Sequence, residues 1–295
     1  MKYGLLAGLV FTTASHASID LKANEQPLPV TVDRQAVAKI PANYKFVEPG
    51  TLTVAVSALN SPPLALLASD NRTRIGSDPD IARLLAGSLG LKLKLVPTAW
   101  EDWPLGIASG RYDVALVNIA VTEQRKEKFD FATYRVDSLA FSVKSTSEIQ
   151  SIKSAEDLAG KKVIVGSGTN QERILLGWNE ENKKAGSACA AGLSPRRCLG
   201  QSLYSVRQGG RVLWPSVGFS LQSGAHRQNP RCRFRAEKKA YVATTTEKGN
   251  ELVYALQAAL DGAIKRGDYQ KVLARWGEQG EAVAQSEVNP PGITY

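Results

Sequence analysis

The sequence predicts an α/β fold built on a parallel sheet. Short apolar strands alternate with amphipathic helices along the chain, and a second set of such elements follows the first. The 295 residues suffice for one large domain or for two of ordinary size. Apolar residues make up 43% of the chain and charged residues 22%, which is the mix of a soluble globular protein.

The first set of elements begins with the run "TLTVAVSALNSPP", which alternates like a strand and stops at two prolines. The next run, "SDPDIARLLAGSLGL", predicts a helix with Asp78 as a capping residue. A strand ("KLKLVPT"), a short helix closed by Gly110 and a near-continuous apolar strand ("DVALVNIAV") follow. This order indicates parallel strands connected by helices.

The second set begins with "SAEDLAGKKVIVGSGTNQERILLGW", which predicts a short helix, a strand at 162–165, a turn and a helix that starts near Asn170. Toward the C-terminus, "NELVYALQAALDGAIKRGDYQKVLARWG" predicts a long amphipathic helical region with a break at Gly267. Ahead of both sets, residues 18–49 are polar and contain four prolines. They predict a loose N-terminal arm.

The N-terminus is typical of an export signal peptide over residues 1–17. Lys2 precedes an apolar run at 3–11, and the small residues Ser15 and Ala17 precede a possible cleavage site. The run is shorter than the roughly 20 apolar residues that span a bilayer. The alternative is a buried or interfacial helix. An export signal predicts a mature protein outside the cytoplasm, which in a bacterium with two membranes means the periplasm.

The net charge of +9 lies almost entirely in residues 187–236, which contain eight arginines, no lysine and no acidic residue. The arginines follow no helical or aromatic-interleaved pattern, so we expect no nucleic-acid partner. This arginine-rich segment also shows neither helical nor strand periodicity. Three explanations stay open: a disordered basic insert, an atypical but folded lobe, or the product of a frame change in the coding sequence.

The cysteines and histidines do not indicate a metal site. Cys189, Cys198 and Cys232 all lie in the arginine-rich segment, and an odd count cannot pair fully within one chain. A disulfide between two of them is compatible with an oxidising compartment. Their spacing matches no zinc pattern and the two histidines form no ligand cluster, so we expect no metal and no cofactor.

Six segments occur in this order along the chain: "SPP", "GSDPDIARLLAGSLG", "WEDWPLGIASGRYDVA", "VTEQRKEKFDFA", "SAEDLAGKKVIVGSGTNQE" and "AALDGAIKRGDYQKVLARWG". Together they resemble the family 3 extracellular solute-binding proteins, the periplasmic receptors of ABC importers for polar amino acids and related compounds. The similarity extends over 51–185 and 238–277. It is specific for the family and not for a ligand.

The resemblance implies a two-lobed periplasmic-binding-protein (Venus-flytrap) fold that closes on its ligand through two crossing hinge strands. Lobe 1 would comprise 50–140 and 243–295, and lobe 2 would comprise 141–242. The resemblance also implies a monomer that captures a polar amino acid or a related small carboxylate. Such a receptor delivers its ligand to a membrane-embedded ABC permease.

A carboxylate site is expected at the Thr-x-x-Arg loop that follows the apolar strand. Arg125 presents a planar fork for a carboxylate, and Thr122 adds a hydroxyl and an amide N–H. Across the cleft, Gly168, Thr169 and Asn170 would form a helix N-terminus, which favours an anion. The alternative for Arg125 is a solvated charge within a charged run.

Two departures from the family bear on the rest of the site. Asn118 stands where the family has glycine, and its amide would still hydrogen-bond a ligand. Leu64 stands where the family often has an aromatic residue, so Trp100 and Trp103 become the candidates for packing on the ligand. The alternative for Trp100 is a core position.

The ammonium group of an amino acid has no evident partner in the second lobe. The family's second lobe supplies an acid for this group, but residues 182–236 contain none. Either Asp78, Glu101 or Asp102 replaces that acid, or the ligand lacks an ammonium group, or the chain binds nothing.

Binding without catalysis is the leading hypothesis for function. The alternatives are an enzyme of dehydratase or lytic type on the same scaffold, a nucleic-acid or membrane-surface binder, and a nonfunctional product of a frame-shifted gene. The sequence offers no paired carboxylates and no Ser/His/Asp set that would carry catalysis.

Overall fold

The computed structural model describes residues 20–142, 149, 151–189, 191–193, 219–223 and 232–294. The predicted signal peptide at 1–17, most of the arginine-rich segment and Cys198 lie outside these described residues. None of the helices in the described ranges combines the length and the apolar character of a transmembrane span.

In the first half of the chain, short strands alternate with short helices. They are α1 (Leu21–Asn24), α2 (Arg34–Val37), β1 (Thr51–Ser57), β2 (Leu66–Leu67), β3 (Arg74–Ile75), α3 (Ser77–Ser88), β4 (Lys92–Thr98), α4 (Trp103–Ala108), β5 (Val114–Leu116), α5 (Glu123–Lys126) and β6 (Phe129–Ser142). A 3-10 turn at Trp100–Asp102 leads into α4.

The second half contains the longest helices and the longest strand. Its elements are β7 (Lys162–Ile164), α6 (Asn170–Lys184), β8 (Ala191–Leu193), β9 (Phe219–Ser223), β10 (Cys232–Glu247), α7 (Leu252–Arg266) and α8 (Asp268–Trp276). Further 3-10 turns lie at Glu156–Leu158 and Gln279–Glu281.

In the described part of the chain, the main sheet has eight strands in the order β4-β1-β5-β10-β6-β9-β7-β8. Strand β1 pairs in parallel with β4 and β5, and β7 pairs in parallel with β8 and β9. The long strands β6 and β10 pair antiparallel and link the two parallel groups. The predicted α/β class is confirmed, and the fold is the two-lobed one in which β6 and β10 run between the lobes.

Each lobe has a hydrophobic core, and a further cluster around Trp103 and Tyr112 packs on the other face of the first-lobe sheet. The core of the first lobe packs β1 against α3, α7 and α8, with Leu256 and Trp276 fully buried. The core of the second lobe lies between β7 and α6 and includes Phe141, Val163 and Leu175. The predicted residue boundaries of the lobes stay predictions.

The helix termini agree with the sequence in two places and differ in one. Helix α6 begins at Asn170, as predicted, and Gly267 separates α7 from α8 in a left-handed conformation. Asp78 is not the cap of α3, because the N-cap is Gly76 with φ 136°. A side chain at Gly76 would collide with the Leu64 carbonyl, so the close approach of that loop sets the helix start.

The N-terminal arm packs against the first lobe from residue 20 onward, which differs from the loose arm predicted. The Tyr44 hydroxyl donates to Asp113 at 3.0 Å, and Arg266 pairs with Asp33 at 2.9 Å. Apolar side chains of the arm also cover the first core, namely Leu28, Val30, Ile40, Tyr44 and Phe46. Their irregular spacing gives no periodic signal, so the sequence pattern did not indicate this packing.

Candidate functional site

A narrow cleft lies where the two lobes meet the crossing strands. The first lobe, the crossing strands and the second lobe all contribute to its walls. Its lining residues are Trp100, Asn118, Ala120, Arg125, Asp137, Ser138, Asn170, Gln171, Ala240 and Val242. Four of the predicted site residues therefore meet in one cavity.

Arg125 lies between the Ala120 carbonyl, which follows β5 in the chain, and two tryptophan rings. Its Nη1 donates to the Ala120 carbonyl at 2.8 Å. Its guanidinium carbon stands 5.3 Å from the Trp100 ring centroid and 5.8 Å from that of Trp103. Contacts with aromatic faces stabilise a cation and restrict its rotamers. Arg125 is therefore packed against aromatic rings at the cleft, where it is half-buried.

Thr122 fixes the turn that carries Arg125. It is the N-cap of α5, and its hydroxyl accepts a hydrogen bond from the Arg125 amide at 3.1 Å. The Thr-x-x-Arg spacing is therefore the spacing from an N-cap to the third helical residue. The Thr122 side chain is buried. It lines a second cavity, here called the outer cavity, which shares Trp100 and Arg125 with the cleft and also includes Glu101 and Gly168.

The C-terminal segment braces the same turn from outside. The Glu123 amide donates to the Ile293 carbonyl at 3.3 Å, and the Gly292 amide donates to the Glu123 carboxylate at 2.6 Å. The Lys126 ammonium donates to the Pro290 carbonyl at 3.1 Å. These bonds join residues more than 160 positions apart, and no local sequence signal indicated them.

At the end of the apolar strand, Asn118 adopts a backbone conformation that is more usual for glycine. Its backbone is left-handed with φ 59°, a region that asparagine enters more readily than most residues. Its side-chain oxygen accepts a hydrogen bond from Nη2 of Arg135. The side chain is thus anchored below the cleft, although the residue still contributes to the cleft wall.

The second-lobe wall is the first turn of α6. The Thr169 hydroxyl accepts from the Glu172 amide at 3.1 Å, and the Gly168 amide donates to the Glu172 carboxylate at 2.7 Å. This is a reciprocal cap in which the chain's own carboxylate meets the helix N-terminus. Asn170 lines the cleft, Gly168 lines the outer cavity, and Thr169 acts as the cap.

Trp100 stands at the boundary of the two lobes. It lines both the cleft and the outer cavity, and a Cβ built on Gly168 would lie 3.9 Å from its Nε1. Gly168 has φ 70°, a conformation that favours glycine. The close approach of the Gly168 turn to Trp100 joins the two walls on this side.

Asp78 lies away from the cleft wall. It is buried in the first turn of α3, where its Oδ1 accepts from the Tyr134 hydroxyl at 2.6 Å. Burial raises the pKa of the Asp78 carboxyl to about 6, against the opposing effects of Arg135 and Tyr134. The other two acids considered from the sequence also lie off the cleft, since Glu101 lines the outer cavity and Asp102 precedes α4.

Asp137 is the acidic residue that lines the cleft, and the sequence patterns did not single it out. It lies on crossing strand β6, its Oδ1 accepts from the Ser138 amide at 2.7 Å, and its Oδ2 stands 3.7 Å from Arg135 Nη1. A usable signal was present: Arg135 and Asp137 are opposite charges two residues apart, a spacing that places them on one face if the segment is a strand.

Residues 52–279 match the family of bacterial extracellular solute-binding proteins, family 3. The chain belongs to this family. Members are extracellular binding proteins, in line with the predicted export, whereas the signal peptide itself stays a prediction.

Two known relatives illustrate the similarity in sequence. The L-cystine-binding protein TcyJ of Escherichia coli (strain K12) is 37% identical over 132 residues, which are 44% of this chain and 48% of TcyJ. The amino-acid-binding protein AabA of Dichelobacter nodosus is 32% identical over 197 residues, covering 65% of this chain and 68% of AabA. This family 3 chain thus spans about half the length of TcyJ and about two thirds of AabA.

A solved structure supports the fold. The amino acid ABC transporter substrate-binding protein AbpA from Streptococcus pneumoniae, bound to L-arginine, superposes with a TM-score of 0.60. The superposition covers 78% of this chain and 96% of AbpA at 21% sequence identity. At that identity the likeness shows the fold alone.

Proposed function

We propose that this chain is the substrate-binding component of an ABC importer and that it binds a polar amino acid or a related small carboxylate between its lobes. The observation that carries the proposal is Arg125, which is held against Trp100 in a cleft whose opposite wall includes Asn170 and Gln171. TcyJ and AabA, by their names an L-cystine-binding and an amino-acid-binding protein, support the same class of ligand.

The arrangement accounts for capture and closure. The guanidinium of Arg125 can bind a carboxylate through two parallel charge-assisted hydrogen bonds. A ligand that also meets the second lobe binds the closed conformation better than the open one, so it shifts the population toward closure. We expect binding without catalysis, because no histidine and no second carboxylate line the described part of the cleft beside Asp137.

The remaining assignments extend the same proposal. The chain acts as a monomer in the periplasm and delivers its ligand to a membrane-embedded ABC permease. It has no nucleic-acid partner and needs no metal or cofactor. A nonfunctional frame-shifted product is the competing proposal, and it predicts that no compound stabilises the protein.

A thermal melt of the chain from about Ser18 tests the proposal, with and without amino acids and small organic acids. A ligand present at 100 times its Kd adds about 2.7 kcal/mol to the free energy of unfolding. One class of compound is expected to raise the Tm of a cooperative transition. Absence of a cooperative transition, or of any shift across the panel, contradicts the proposal.

The variant Arg125→Gln tests the site itself. Losing a charge-assisted pair to a carboxylate is expected to raise the Kd on the order of a hundredfold, because such bonds contribute about 1.5–3 kcal/mol each. Arg111→Gln is the matched control, since Arg111 is exposed and does not line either cavity. Equal affinities of the two variants would remove Arg125 from the site.

A further inference from the structure

A stretch near the C-terminus lies against the turn that carries Arg125. It comprises residues 286–293 and is here called the strap. The strap begins beside helix α7, where the Ser286 amide donates to the Asp261 carboxylate at 2.8 Å. It follows the residues 52–279 that match the family. The contacts of the strap are therefore additional to the features on which the family match depends.

The strap holds strand β6 on the C-terminal side of the turn. The Asn289 amide donates to the Phe131 carbonyl at 2.9 Å, and the Asn289 side-chain oxygen accepts from the Phe131 amide at 3.0 Å. The side-chain Nδ2 of Asn289 also donates to the Asp130 carboxylate at 2.9 Å. The Asn289 backbone is left-handed with φ 48°, a region that asparagine enters more readily than most residues. One residue of the strap thus fixes the first residues of β6.

The strap also holds the N-terminal side of the turn. The Ile293 amide donates to the Val121 carbonyl at 3.0 Å, and the Ile293 carbonyl accepts from the Glu123 amide at 3.3 Å. Arg125 lies between Glu123 and β6 in the chain. The backbone that carries the guanidinium is therefore tied to the strap on both sides.

Gly292 is the point of closest approach between the strap and the turn. A Cβ built on Gly292 would lie 2.7 Å from the Thr122 carbonyl carbon and 2.8 Å from the Glu123 nitrogen. Both atoms belong to the backbone and cannot rotate away, so any side chain at this position forces the strap or the turn to shift. Thr122 is the N-cap whose hydroxyl accepts from the Arg125 amide, so a shift of the turn at Thr122 also moves Arg125.

We propose that the strap is a positioning element for ligand binding: its contacts on both sides of the turn set where the Arg125 guanidinium stands in the cleft and hence how tightly a ligand carboxylate binds. The inference rests on the proposed function of Arg125. Two parallel hydrogen bonds to a carboxylate depend on the distance and angle of the planar fork, so a displacement of several tenths of an ångström weakens them. Loosening the strap therefore weakens binding without removing any group that touches the ligand.

The variant Gly292→Ala tests the inference in the chain from about Ser18. The Kd is measured by calorimetric titration with L-glutamine, L-arginine, L-cystine and succinate. For the probe that the wild type binds most tightly, Gly292→Ala is expected to raise the Kd about tenfold or more.

Asp261→Ala is the matched control for loss of stability. It removes the bond between the strap and α7 and leaves the contacts of the strap with the turn in place. This control is expected to lower the Tm of the unliganded protein and to keep the Kd within about twofold of the wild type. A role of the strap in stability alone would lower the Tm in both variants and leave both Kd values unchanged.

A double-mutant cycle shows whether the strap acts through Arg125. In the Arg125→Gln background, Gly292→Ala is expected to change the Kd by less than about twofold, because the group that the strap positions is gone. A tenfold effect that persists in this background means that the strap acts on another part of the cleft, and it overturns the inference.

An unchanged Kd in Gly292→Ala overturns the inference and leaves the receptor function standing, and so does an equal rise of the Kd in Asp261→Ala. If Gly292→Ala does not unfold cooperatively, Asn289→Ala is titrated instead, because it removes the two side-chain bonds to β6. That variant is expected to raise the Kd about threefold to tenfold, and an unchanged Kd overturns the inference. A wild type that binds none of the four probes overturns the proposed function, and the inference with it.

Discussion

The two walls of the cleft are stabilised in different ways. The first-lobe wall depends on partners far away in the sequence: Asn118 is anchored by Arg135, which in turn binds Glu281, 146 residues further along the chain. The second-lobe wall depends on local capping, because Thr169 and Glu172 satisfy the start of α6 through bonds that span at most four residues. The first wall therefore forms only when distant segments have assembled, whereas the second needs one helix.

The ion pairs of the two lobes also differ in how deeply they are buried. The pair between Arg135 and Glu281 in the first lobe is 0% and 2% exposed. The pair between Lys183 and Glu180 in the second lobe is 59% and 62% exposed. Water screens the exposed pair, whereas the buried pair has no solvent to replace a lost partner. Equivalent substitutions in the two lobes should thus have unequal consequences.

Arg135→Met is expected to have the largest effect on stability. Removing the buried cation takes a close charge partner away from Glu281 and Asp137, and breaking a buried ion pair typically costs about 3–5 kcal/mol of unfolding free energy. Lys183→Met is the matched control, and no measurable change is expected for it because the pair is exposed. Urea unfolding of both variants measures the difference. Equal midpoints would show that the contrast between the lobes is not energetic.

The pH dependence of stability sharpens the same contrast. Burial raises the pKa of Glu278 to about 7 and that of Asp78 to about 6. The folded state therefore holds these protons more tightly than the unfolded chain does. The contribution of these two carboxyls to the free energy of unfolding is complete at low pH and is lost as the pH rises through about 7. Between about pH 5 and pH 8, the free energy of unfolding is expected to fall by about 2 kcal/mol from Glu278 alone.

Glu278→Gln should flatten this profile and raise stability at about pH 8, because the amide carries no charge to desolvate. The second-lobe control is Asp157→Asn. Hydrogen bonds from the Lys153 and Ser154 amides lower the pKa of Asp157, so its contribution is lost only as the pH falls below its ordinary range. The free energy of unfolding of the control should therefore change with pH as steeply as that of the wild type between about pH 5 and pH 8. Urea midpoints across this range check both expectations, and an unchanged slope in Glu278→Gln would contradict them.

The same division explains what the sequence could and could not predict. The start of α6 was predictable because Thr169 and Glu172 form a local capping pattern, and the break at Gly267 because glycine ends helices. The position of Arg125 was accessible because its cap, Thr122, lies three residues away. Local chemistry of this kind is written in short stretches of sequence.

Features that depend on long-range pairing were not predictable from local patterns. Strand β6 extends to fourteen residues because it pairs with β10, and the intervening charges at Arg135 and Asp137 argue against a buried strand. The arm over 18–49 looked polar, yet it covers the first core. That Asp137 lines the cleft was not predicted, because its position there depends on the pairing of two distant strands.

The smallest expected effects come from the two caps, Thr122→Ala and Thr169→Ala. Loss of an N-cap hydroxyl typically lowers stability by about 1 kcal/mol, and both variants should show this in urea unfolding. Their effects on binding should differ. Thr122 sets the turn that carries Arg125, so its loss is expected to weaken ligand binding by about threefold to tenfold, whereas Thr169 supports the opposite wall and should cost less. Serine at either position keeps the hydroxyl and should restore both quantities. If Thr169→Ala weakened binding more than Thr122→Ala, the second-lobe wall would make the stronger contact with the ligand. The contrast between the two walls would then be reversed for binding, whereas it would still hold for stability.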